Sequence, residues 1–170
     1  METAIVGIIG AFIGILLTNA LRIVLDLRNR RERVRDIQTA LRAEIRSQRG
    51  WLEDFRAESN VKQLLAQIRA GTDFTPFIPA EVRDFVFDGV LKEVHILPGE
   101  VIDPIVLYYR QYRGISAFAD DLRTDRYSRL EPGRKAAMYE DYIGMGLYGL
   151  ELSEKALNAI NRSLKEGEPN

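Results

Sequence analysis

From Thr3 to Leu21 the chain holds 19 residues without a charge. As an α-helix rising about 1.5 Å per residue, such a run is roughly 28 Å long, close to the hydrocarbon thickness of a bilayer. Two fates suit it: a cleaved export signal, or an anchor that stays. A signal needs basic residues ahead of the apolar run and a small-residue cleavage site behind it. Only Met1 and Glu2 come before, whereas Arg22, Arg28, Arg30, Arg31, Arg33 and Arg35 follow against Asp26 and Glu32. Arginine-rich flanks stay cytoplasmic. The sequence therefore predicts a retained single-pass transmembrane anchor over residues 1–21, with a periplasmic N-terminus and a cytoplasmic bulk. A core helix of a soluble protein is the competing reading. It fits poorly, since Val6, Phe12, Ile15 and Leu21 point to well-separated sides of a helix.

The six arginines are expected to meet anionic lipid headgroups, making membrane lipid the first predicted partner. Net charge over the whole chain is −1, which disfavours a nucleic-acid binder. That average hides an asymmetry: residues 22–58 carry ten arginines against seven acids, and residues 59–170 carry fourteen basic against seventeen acidic residues. There is no cysteine, so disulfides, thiolate metal sites and a cysteine nucleophile are excluded.

No glycine or proline falls between Gly14 and Gly50, so the anchor is expected to continue as a long juxtamembrane helix over 22–57. Leu27, Val34, Ile37, Leu41, Ile45, Leu52 and Phe55 form a narrow apolar stripe along it, which needs a partner helix. A helical bundle should follow over 58–165. It would comprise a helix at Val61–Ala70 capped by Ser59 or Asn60, a helix from Pro79 to about Leu91, a loop over 91–97, and two long helices. The first of these spans Gly99 to about Leu122 and the second Pro132 to about Leu164, paired antiparallel, with residues 166–170 a disordered tail. The fold class is thus all-α.

"GMGLYG", Gly144–Gly149, spells G-x-G-x-x-G, but that fingerprint works only as a strand-to-helix turn. Its surroundings have helical periodicity, so the glycines are read as close-contact positions and no cofactor is expected. A lone histidine, His95, cannot supply the two imidazoles of a di-iron bundle, and no metal site is expected. Tyr109, Tyr112, Tyr139 and Tyr142 sit at i, i+3 on the two long helices, either as a seam between them or as the lining of a ligand groove. In the anchor, Gly7, Gly10, Ala11, Gly14 and Thr18 fall on one face, a spacing that suits membrane-helix contact and a homo-oligomer. Val34, Ile37, Leu41 and Ile45 would extend that contact as a coiled coil.

Together, the glycine-rich span, "LRNRRERVRDIQTALRAEI", "FTPFIPAEVRDFVFDGV", "HILPGEVIDPIVLYYRQ" and "MYEDYIGMG" resemble a group of uncharacterised single-span helical proteins of alphaproteobacteria. The resemblance implies a bacterial inner membrane and transfers no activity. The expected function is a membrane-anchored protein-interaction or scaffold module, an accessory subunit of a membrane assembly without catalysis and with an unidentified protein partner. The alternatives are a small-ligand sensor or membrane effector with a tyrosine-lined groove and, further off, an enzyme.

Overall fold

The computed structural model describes residues 2–56, 58–71, 74, 76–78 and 85–167, with the side chains of residues 2–18, 20, 58–60 and 85 outside that description. Every regular element among the described residues is helical: α1 (Glu2–Glu53), α2 (Glu58–Arg69), α3 (Phe85–Val90), α4 (Gly99–Leu122), α5 (Asp125–Ser128) and α6 (Pro132–Glu166). Two 3-10 segments, Asp54–Arg56 and Leu91–Ile96, join them. The chain divides into two compact units, Met1–Ile37 and Gln38–Asn170. The division falls inside α1, so residues 38–53 of that helix belong with the bundle.

In the first unit α1 is unbroken, as the lack of glycine and proline after Gly14 requires. Among the described residues no helix is long and apolar enough to cross a membrane. The expected anchor, with Gly7, Gly10, Ala11, Gly14 and Thr18, lies almost wholly outside the described side chains. At its end Leu21, and just beyond it Ile23, Val24, Leu25 and Leu27, are all exposed.

In the second unit residues 38–53 of α1 pack with α4 and α6. Gln38 Nε2 donates to Ser163 Oγ at 2.9 Å and Arg42 Nη1 to Asn161 Oδ1 at 3.4 Å, while Leu52 lies beside Gly149. Rising numbers on one helix meet falling numbers on the other, so α1 and α6 are antiparallel here. Helix α4 is also antiparallel to α6: Gln111 Nε2 donates to the Met145 carbonyl at 3.0 Å, and the ring of Phe118 stacks near Tyr142. Helix α2 lies against α6 through Leu65, Ile68 and Ala136, with Arg69 paired to Glu140 at 3.3 Å.

Several sequence expectations need correction. Leu41 and Ile45 are fully buried inside the chain's own bundle, as is Leu52, so they are not available for a coiled coil with a second molecule. Their partner helices come from the same chain. Ser59 and Asn60 are already within α2, which starts at Glu58 and ends at Arg69, with Gly71 just after it at φ +72°. That left-handed position favours glycine because it has no Cβ. Of the helix expected from Pro79, residues 79–84 lie outside the described residues, and α3 ends at Val90. The loop expected over 91–97 is mostly 3-10 helix, which places Val94 and Leu97 in the core one three-residue turn apart. Helix α4 contains Pro104 and continues past it to Leu122. Between the two long helices lies the short α5, capped by the Thr124 hydroxyl, which accepts from the Tyr127 amide at 3.3 Å.

Candidate functional site

A polar cluster of the bundle centres on Glu44, half-buried on α1 beside the stripe residues Leu41 and Ile45 and the buried Gln48. Its Oε1 accepts from the Val86 amide at 2.7 Å, and its Oε2 from the Phe87 amide at 3.0 Å and the Tyr109 hydroxyl at 2.6 Å. Three of about four lone-pair sites of the carboxylate are thereby occupied by its own chain. One turn later Gln48 Oε1 accepts from the Tyr108 hydroxyl at 2.9 Å in a fully buried contact. Phe87 lies flat on Tyr109, ring centroids 3.9 Å apart, and the Arg113 guanidinium sits 5.3 Å from the Phe87 centroid while pairing with Asp88. Helix α3 is thus held at its first amides by a carboxylate and at its first buried ring by stacking. Chemically the cluster positions a segment; its acceptors point at backbone amides and phenols of the same fold.

From Phe87 a continuous chain of aromatic contacts crosses the bundle. It passes through Tyr109 and Tyr108 to Tyr112, on to Trp51 and Phe55, and then to Tyr142 with Phe118 and Tyr139 beside it. Tyr109, Tyr112 and Tyr142 are almost wholly buried and Tyr139 is half-buried. The four tyrosines read as a seam or a groove thus pack their rings in the core or at its edge, and the Tyr109 hydroxyl donates to Glu44.

Gly144–Gly149 lies within α6, whose interior amides are already bonded one turn back and offer nothing to a pyrophosphate. Two of its glycines are contact positions. A Cβ on Gly146 would sit 2.6 Å from the Phe55 ring, and one on Gly149 would sit 2.8 Å from Ile115 Cδ1, whereas Gly144 faces open space. His95 is exposed, with Nδ1 2.9 Å from the Lys92 carbonyl. Among the described residues no three acidic or histidine side chains gather to hold a metal ion. Arg22, Arg28, Arg30, Arg31, Arg33 and Arg35 are exposed along α1, with Arg28 paired to Glu32 at 2.9 Å.

Glu44, Gln48 and Phe87 were missed as a set by sequence reasoning. One acid among several on an arginine-rich helix reads as part of a solvated face. Its amide partners lie 42 and 43 positions away, and no local pattern announces them. Compared with known proteins, the chain matches no family model, no curated protein and no solved structure.

Proposed function

We propose that the chain is a membrane-anchored helical module that holds a cytoplasmic bundle at the bacterial inner membrane, where the bundle serves as an interaction or scaffold subunit. One observation carries this reading: a single unbroken helix, α1, contains the uncharged run, the exposed arginine flank and the buried residues Leu41, Ile45 and Leu52 of the bundle. The arginine flank supports a cytoplasmic bundle, since positively charged flanks are retained on that side. The polar groups of the Glu44 cluster act in positioning α3, which favours a binding module over a catalyst. Inner-membrane residence draws on the resemblance to single-span alphaproteobacterial proteins.

The test is fractionation followed by native purification. The chain should resist carbonate extraction, a cytoplasm-dependent fluorescent reporter fused after Asn170 should be active, and mild-detergent purification should bring down one protein in fixed stoichiometry. Recovery in the soluble fraction, or a silent reporter with an active periplasmic one, would overturn the anchor and its orientation. Purification as an isolated chain at native expression would overturn the scaffold role.

A further inference from the structure

The uncharged run ends at Leu21, yet the next apolar residues are not covered by the chain. Leu21, Ile23 and Val24 are each 60% exposed, Leu25 47% and Leu27 53%. These five lie within seven consecutive positions of α1. At about 100° per residue they fill an arc of about 200°, while Arg22 and Asp26, four residues apart, share the remaining side. Such an arc is twice the width of about 100° that a helix presents to a protein core. It ends abruptly. Arg28, Arg31 and Arg35, with Glu32, occupy the same angular sector one turn further on, and all four are exposed.

From this we infer that the lipid-embedded part of α1 reaches Leu27, six residues past the end of the uncharged run, and that headgroup contact starts at Arg28. The inference rests on the anchor reading and adds its depth. Acyl chains cover the wide apolar arc, because a fluid hydrocarbon can follow 200° of helix surface where one partner helix cannot. Arg22 then lies below the headgroup layer. Its long aliphatic stem lets the guanidinium reach toward the interface, and Asp26, one turn nearer the interface, stands where a counter-charge is needed. The excess of arginine from Arg28 to Arg35 complements anionic headgroups. Arg22 thereby leaves the headgroup set that its sequence position suggests and acts as a snorkelling residue.

The absence of native cysteine makes the test direct. Single variants Phe12→Cys, Ile23→Cys, Val24→Cys, Leu25→Cys and Arg31→Cys of the full chain are reconstituted in vesicles of phosphatidylethanolamine and phosphatidylglycerol. They are then reacted with a membrane-permeant maleimide, which modifies only thiols in contact with water. In denaturant all five should react alike. In vesicles Ile23→Cys, Val24→Cys and Leu25→Cys should react at least tenfold more slowly than Arg31→Cys, and by similar factors, although their side chains point in three directions. Three fast reactions with Phe12→Cys still slow would overturn the depth proposed here and leave the anchor standing. Slow reaction at one of the three sites only would also overturn it, in favour of a protein partner on one face. Fast reaction at Phe12→Cys as well would remove the anchor reading itself.

Discussion

Glu44 shows how one side chain can organise a segment distant in sequence. Its carboxylate accepts from two amides at the start of α3 and from the Tyr109 hydroxyl. Hydrogen bonds to a charged acceptor are worth about 1.5–3 kcal/mol, and leaving their buried donors unsatisfied adds to the loss. Glu44→Ala should therefore lower stability by about 2–4 kcal/mol, and Tyr109→Phe by about 1 kcal/mol. Because the two groups touch, the double variant should cost less than the sum of the singles by about 1 kcal/mol or more. Thermal melts of the four proteins in one detergent check this, and strict additivity would count against the contact. Glu44 was illegible in the sequence because a carboxylate reveals its partner only after folding brings residues 86 and 87 to it. Tyr109 and Tyr112 were half legible: their spacing announced a face, and only the structure shows that face closed.

Within α6 three glycines of one hexapeptide have different tasks. Gly144→Ala meets nothing and should stabilise by about 0.5–1 kcal/mol through reduced backbone freedom in the unfolded chain. Gly146→Ala puts a methyl group into the Phe55 ring, which Trp51 and Tyr142 hold edge-on at 5.2 and 5.1 Å. Overpacking of that kind costs about 1–3 kcal/mol. Opposite signs in chemical denaturation of the two variants are the expected result, with Gly149→Ala destabilising as well through Ile115. The letters "GMGLYG" made close helix contact readable, since a nucleotide turn needs a strand that the surroundings lack. The stripe on α1 was equally readable in its spacing, but an apolar face does not say whose helix covers it. Leu41 and Ile45 find their cover within the same chain, a fact held in contacts more than 100 residues apart such as Gln38 with Ser163. The 3-10 segment Leu91–Ile96 escaped because so short an element has no helical period to detect.

Across the whole molecule, the two compact units should separate functionally. Under the proposed anchor, deleting residues 1–27 should move the protein to the soluble fraction and leave the thermal midpoint of the bundle unchanged, because among the described residues the buried core starts at Ile37. A bundle that fails to melt cooperatively after this deletion would show that the first unit contributes to its fold. Alkaline pH is a second global lever. Burial raises the pKa of the Tyr127 phenol, with the neighbouring Tyr139 adding to it, and burial raises that of Tyr139. A phenol whose folded pKa is raised keeps its proton in the folded state after the unfolded chain has lost it. Its stabilisation is complete below the unfolded value of about 10 and disappears as pH climbs through the folded value. Denaturation midpoints should thus hold steady to about pH 10 and fall above it, and Tyr127→Phe with Tyr139→Phe should flatten that fall. An equal alkaline slope in the double variant would assign the loss to other groups.

The chain of ring contacts has an optical consequence. Trp51 is the sole tryptophan, and its indole stands edge-on to Phe55 and Tyr112, with Tyr108 and Tyr142 one ring contact further on and Tyr109 one beyond Tyr108. Light absorbed by those phenols in the native state should reach the single indole by resonance transfer, leaving little tyrosine emission of its own. When the bundle opens, the donors part from their acceptor and a separate tyrosine band should rise at shorter wavelength. Trp51→Phe should show that band before any denaturant is added, so the protein carries a built-in gauge of whether α1 and α4 are still together.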